Sequence, residues 1–192
     1  NKKTDGTDYD IYRDGLKIYT TIDSRMQLYA EEAVMSHLAN LQEEFNINQK
    51  GNKNAPFVNI SKEETDRLMM QAMKSSERWR ILKAEDKSDE EIIKSFEVKT
   101  KMTVFTWKGE RDTIMTPTDS IRYYKSFLQS GMMAMDPQNG NVKAWVGGIN
   151  YKYFQYDHVG QGARQVGSTF KPFVYATAIE KLNMSPCDSI ID

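Results

Sequence analysis

The sequence is short of the groups that most metal and redox centres use. Its one cysteine, Cys187, excludes an internal disulfide and leaves the cellular compartment open. Only two histidines accompany it, His37 and His158, which argues against a zinc or haem site and implies no cofactor. An excess of one charge sign is also missing. The chain has 26 basic and 27 acidic residues and a formal net charge of −1, so nothing points to nucleic acid or to general attraction to an anionic membrane. No apolar run approaches the length of a transmembrane helix, and residue 1 does not begin a signal peptide. There is no internal repeat and no low-complexity segment. What remains, at 192 residues, suffices for one domain with a real core, or one domain and an accessory lobe.

Residues 1–14 are polar and read as a poorly ordered lead-in. From Gly15 to Ile22 the alternation of Leu16, Ile18, Thr20 and Ile22 against Lys17, Tyr19 and Thr21 predicts a strand. Asp23 or Ser24 then caps a helix, with Gln27 at the capping-box position if Ser24 is the cap. Met26, Ala30, Ala33, Val34, Leu38, Leu41 and Phe45 line one side of it, with His37 in or beside that stripe and no partner motif to make it catalytic. A loop rich in Asn, Gln, Gly and Lys follows from Asn46 to Pro56. Ser61-Lys62-Glu63-Glu64 opens a helix that carries Leu68, Met69, Ala72, Met73 and Trp79, and Ser88-Asp89-Glu90-Glu91 opens another with Ile92, Ile93 and Phe96. The charged outer faces mark residues 46–100 as a small helical insertion. Its methionines and Trp79 suit either an adaptable docking groove or, the favoured reading, packing on the rest of the chain.

Met102–Trp107 and Arg111–Met115, around Lys108-Gly109-Glu110, predict a short hairpin. Thr116-Pro117-Thr118-Asp119 supplies a cap and a proline at the first helical position. The helix that follows has Ile121, Tyr124, Phe127 and Leu128 on its buried stripe and ends at Gly131. Met132–Met135 and Val142–Val146 flank Asp136-Pro137-Gln138-Asn139-Gly140 in the clearest hairpin of the chain. Gly147-Gly148 closes it. Tyr151, Tyr153, Phe154 and Tyr156 then form an aromatic cluster before Asp157-His158, read as a substrate-side wall or, slightly favoured, as a loop pinned by its rings. The fold class that emerges is α+β, helices packed with short antiparallel hairpins.

The chemistry concentrates in Gly167-Ser168-Thr169-Phe170-Lys171-Pro172. The run Phe173-Val174-Tyr175-Ala176-Thr177-Ala178-Ile179 is apolar around most of its circumference, as expected of a buried helix. Pro172 has no N–H to give to the carbonyl of Ser168, so Ser168 belongs at or just before the first turn. Positions i and i+3 share a face, which brings the Lys171 ammonium near the Ser168 hydroxyl. Serine needs its proton removed, and lysine accepts it only when burial or a positive dipole lowers its pKa. A helix N-terminus in an apolar setting supplies both influences and offers N–H groups to an oxyanion. Arg164 reads equally as an anchor of this loop or as a substrate contact.

The segment from Arg164 to Phe173 resembles the active-serine region of class A penicillin-binding proteins, the bifunctional peptidoglycan synthases. The resemblance extends back through Gly147-Gly148 and the Met132–Val146 hairpin, and to Gly15–Asp23, similar to the start of the same enzymes' transpeptidase region. Residues about 46–100 carry no such resemblance. It implies an inter-domain region over 15–130 and the N-terminal part of a transpeptidase domain of the serine β-lactamase type over 131–192. It also implies Ser168 as nucleophile and Lys171 as proton acceptor in D,D-transpeptidation. The partners implied are peptidoglycan stem peptides, β-lactams, an upstream glycosyltransferase domain and the remainder of the transpeptidase domain, with no nucleic acid. The implied place is the periplasmic face of the bacterial inner membrane, held by an upstream anchor. Neither Ser-x-Asn nor Lys-Thr/Ser-Gly follows Lys171, so the chain reads as an inactive fragment of such a synthase. Two alternatives compete: a non-catalytic interaction module built on the helical insertion with a vestigial Ser-x-x-Lys, and a serine β-lactamase or sensor relative. The long segment ahead of the Met132–Val146 hairpin argues against the latter.

Overall fold

Helix α1, Ser24–Asn48, is the spine on which the larger part of the molecule is assembled. In the computed structural model, which describes residues 2–189, its buried residues are Ala30, Val34, Leu38 and Gln42, one every four positions along a single face. Asp23 is its N-cap, with its carboxylate accepting from the N–H groups of Arg25 and Met26. Met26, Leu41 and His37 lie off the buried face and are exposed.

The remaining elements are α2 (Lys62–Lys74), α3 (Glu77–Ala84), α4 (Asp89–Phe96), strands β1 (Thr100–Thr106) and β2 (Gly109–Met115), α5 (Pro117–Lys125), β3 (Met132–Met135), β4 (Val142–Val146) and α6 (Lys171–Leu182). Among the described residues, six α-helices and two antiparallel hairpins make the fold α+β, as the sequence pattern predicts. The chain divides after Gly160 into two compact units. In the first, Ser61, Ser88 and Thr116 cap α2, α4 and α5 as read from the sequence, and Ser88 with Glu91 forms a complete capping box. The β1–β2 register runs from Thr100↔Met115 to Thr106↔Gly109, and β3–β4 carries a bulge between Ala134 and Met135. Residues 2–14 make local contacts, including an ion pair between Lys3 and Asp14 at 2.7 Å.

Three expectations need correction. Residues 15–22 are extended but form no strand: Thr21 Oγ1 donates to the Val142 carbonyl and the Asp23 N–H to that of Lys143, and no ladder follows. The reason is that the Gln27 amide occupies the same edge of β4. Its Oε1 accepts from the Trp145 N–H at 2.8 Å and its Nε2 donates to the Trp145 carbonyl at 3.0 Å. Gln27 therefore serves the sheet, not a capping box. The helix opened by Ser61 stops at Lys74, because Ser76 caps a separate α3 through the Trp79 N–H.

The third correction concerns α5, which ends at Lys125 and not at Gly131. Gln42 of α1, only 4% exposed, takes the backbone beyond it. Its Oε1 accepts from the Leu128 N–H at 2.9 Å, and its Nε2 donates to the Ser126 carbonyl at 3.0 Å. Replacing Gln42 by Leu strands both backbone groups in a buried setting, where each unmet group costs about 1–3 kcal/mol. Gln42→Leu should therefore lower the unfolding free energy by about 2–4 kcal/mol, measured by urea titration. An unchanged midpoint would remove Gln42 from the account of where α5 ends.

Two apolar clusters hold the first unit. One joins Ala30, Val34 and Leu38 of α1 to Phe105, Ala144, Val146 and Ile149, with Tyr124, Phe127 and Phe154 packed around them. The other joins Met73, Trp79, Ile92 and Phe96, with Ile121 of α5 against them. Met69, Met73 and Trp79 are thus core residues, which disposes of a docking groove built from them. The helical segment is also tied to α5 by Thr118 Oγ1 donating to the Phe96 carbonyl and by Arg122 Nη1 donating to the Ala55 carbonyl.

Candidate functional site

Gly167 has φ +51, a backbone conformation that favours glycine, and it turns the chain into a single 3₁₀ turn, Gly167–Phe170. Ser168 is the second residue of that turn. Lys171 is the first residue of α6, and its backbone N–H donates to the Ser168 carbonyl. Serine and lysine thus lie one turn apart at a helix start, with Pro172 just inside it, as the sequence predicts. No side chain caps either the turn or α6.

Both candidate residues are exposed, and no hydrogen bond joins the Ser168 hydroxyl to the Lys171 ammonium among the described residues. The helix behind them is exposed, although it is apolar around most of its circumference. Phe173, Val174, Tyr175, Ile179 and Leu182 are 49–69% exposed, and no residue of α6 is buried. Arg164 and Cys187 are exposed as well.

The chain leading to this segment is much more tightly organised. Tyr153 and Phe154 pack on Phe105 at ring distances of 5.8 and 5.4 Å, so these two rings pin the loop and are not a free wall. Tyr151 and Tyr156 are exposed, and with Met35, Trp145, Gly148 and Phe154 they line a hollow of about 620 Å³ beside α1. The Asp157 carboxylate accepts from the N–H groups of Val159 and Gly160 at 2.9 and 3.1 Å and from the Trp145 indole at 3.1 Å. The Gly160 N–H, foremost among these donors, holds the carboxyl of Asp157 below its ordinary range. Because its folded pKa is depressed, the stability it contributes is present above the ordinary aspartate range and is lost as pH falls through the lowered value.

None of these partners was legible as such in the sequence. Gln27 and Trp145 are 118 positions apart, and Gln42 and Leu128 are 86 apart. The available signals were the glycines at 147 and 160, each of which sits against Asp157 where a Cβ would collide.

Comparison with known proteins bears on most of the chain. Residues 52–128 match the family model of the penicillin-binding protein middle domain. That range takes in most of residues 46–100, for which the sequence alone offered no resemblance. The chain is 26% identical to penicillin-binding protein 1A of Vibrio cholerae over 210 residues, covering 88% of this chain and 25% of that protein. It is 28% identical to penicillin-binding protein 1A of Neisseria flavescens, covering 90% of this chain and 24% of that protein. A shorter stretch of 54 residues is 41% identical to penicillin-binding protein 1A of Escherichia coli, covering 28% of this chain and 6% of that protein. The chain thus spans about a quarter of the length of the first two relatives. No solved structure matches it. Among the described residues no helix is long and apolar enough to cross a membrane. A middle-domain match over residues 52–128, set inside alignments that run over some nine-tenths of the chain, makes it similar to a segment of the class A penicillin-binding proteins.

Proposed function

We propose that this chain contributes the nucleophile and base of a peptidoglycan D,D-transpeptidase. The observation that carries the reading is the Ser168–Lys171 pair at the junction of the 3₁₀ turn and α6, in a chain similar over most of its length to part of penicillin-binding protein 1A. Ser168 Oγ attacks the penultimate D-alanine carbonyl of a stem peptide while Lys171 takes its proton. The terminal D-alanine leaves with a proton, and an acyl-enzyme remains. An amine of a neighbouring stem then displaces Ser168 and forms the crosslink. A β-lactam opens on the same oxygen and stays there. On this reading the full-length protein carries a glycosyltransferase domain upstream, is anchored in the inner membrane and works on its periplasmic face. The rest of the transpeptidase domain supplies the layers that α6 lacks here, and the helical segment lies outside the catalytic core.

Two measurements test this. In the full-length protein, Ser168→Ala should abolish labelling by a fluorescent penicillin, and persistent stoichiometric labelling of that variant would place the nucleophile elsewhere. The 192-residue chain by itself should carry no stoichiometric label. Its α6 is uncovered, and neither Ser-x-Asn nor Lys-Thr/Ser-Gly follows Lys171 to complete the donors around an acyl group. Loss of even one oxyanion donor costs about 10²–10³ in rate. Rapid, saturable labelling of Ser168 in the short chain would show that the missing parts are dispensable.

A further inference from the structure

We propose that the hollow beside α1 is a binding site for a cationic side chain: a lysine ammonium, carried on its aliphatic stem by a segment of a partner protein. Every residue lining the hollow lies between positions 31 and 157, inside the first unit. The inference therefore goes beyond the transpeptidase reading and does not depend on it.

The hollow measures about 620 Å³, within the roughly 300–1,000 Å³ usual for ligand sites. Trp145, Tyr151, Phe154 and Tyr156 give it an aromatic lining. Three of these rings are fixed. The Trp145 indole N–H donates to Asp157 Oδ2 at 3.1 Å, and both backbone groups of Trp145 are taken by the Gln27 amide. Phe154 packs on Phe105 at 5.4 Å, and Tyr156 on the His158 ring at 4.9 Å. Walls that are set before binding lose little freedom when the site is filled. Tyr151 is 81% exposed, a large ring left in water beside a preformed hollow, and such surface is what partners cover.

The polar groups decide the charge of the occupant. Glu31 and Asp157 bring two carboxylates to the lining, and no lysine or arginine lines it. Neither carboxylate is in an ion pair among the described residues. The Gln27 amide nitrogen that donates to the Trp145 carbonyl also donates to Glu31 at 2.7 Å, so the fastening of α1 to β4 orients this carboxylate too.

Carboxylates accept hydrogen bonds and donate none, and the faces of aromatic rings are negative. Both surfaces favour a cation. Lysine suits the apolar part as well, because its methylene stem can lie along Val34, Met35 and Ile149 while the ammonium stays with the carboxylates. A neutral sugar ring stacked on the tyrosines would leave both negative charges unmet.

The test uses the full-length protein at low ionic strength and saturation-transfer NMR observed on the peptide Gly-Gly-Lys-Gly-Gly, acetylated and amidated at its ends. The peptide should bind, with its strongest signals on the lysine δ- and ε-methylene groups. The same peptide with its lysine Nε-acetylated loses both the charge pairing and the ring contact, and should bind at least about 10-fold more weakly. Glu31→Gln and Tyr151→Ala should each raise the Kd of the lysine peptide by about 2- to 5-fold. Both side chains are exposed, so both variants should fold. These results should be the same before and after treatment with penicillin, so they stand whether or not Ser168 is acylated. Failure of the lysine peptide to bind would overturn the proposal. So would equal binding of the acetylated peptide, an unchanged Kd in either variant, or binding of an N-acetylglucosamine trimer in preference to the peptide.

Discussion

Replacing Lys171 by Met in the full-length protein should leave a folded enzyme that acylates about 10²–10⁴-fold more slowly, the range typical of a lost general base. The side chain keeps most of its length and apolar stem, so it can still lie along an apolar helix once that helix is covered. What goes is the amine of a residue one helical turn from Ser168. The expected pattern is a lower k2 at nearly unchanged Kd, with a melting temperature close to the parent's. A variant that acylates at the parental rate would remove Lys171 from the mechanism and leave Ser168 in need of another base.

The second large effect is structural. Phe105 is 3% exposed and sits among Trp107, Phe127, Tyr153 and Phe154, with ring distances of 5.3–5.8 Å. Its backbone is held as firmly, for Tyr123 Oη donates to its carbonyl at 2.6 Å and its N–H donates to Tyr124 Oη at 3.2 Å. Phe105→Ala removes the ring that the aromatic loop, the end of the β1 hairpin strand and the segment just after α5 share. Truncation of a buried Phe costs about 3–5 kcal/mol, a large share of the roughly 5–15 kcal/mol that keeps a domain folded. Denaturant unfolding of the variant should show a loss in that range, and near-ultraviolet circular dichroism should weaken. A loss below about 1 kcal/mol would mean that the cluster closes over the gap and that Phe105 is not its centre.

The elements that could be read from sequence are those whose causes are local. Ser61, Ser88 and Thr116 each bond an N–H three positions ahead, so a cap announces itself within four residues. The hairpin of β3 and β4 is set by its own turn, where the Asp136 N–H donates to the Asn141 carbonyl and Gly140 takes φ +73. The Ser168–Lys171 spacing is local in the same sense. The errors arose where a distant partner decides. Leu16 and Ile18 alternate like a strand, but whether they pair depends on an edge of β4 that Gln27 already occupies. Gly131 looks like a helix terminator, but Gln42 takes the backbone several residues earlier. Asp157 resembles any loop aspartate until Trp145, Gly147 and Gly160 are seen around it.

The central claim is that Ser168 is the acylated nucleophile of a penicillin-binding enzyme. It is tested most directly by treating the full-length protein with a fluorescent penicillin, digesting it and locating the label by mass spectrometry. The account predicts one label per molecule, carried by the peptide containing Ser168 and absent after Ser168→Ala. A label on any other residue, or an unlabelled protein that is demonstrably folded, would contradict it.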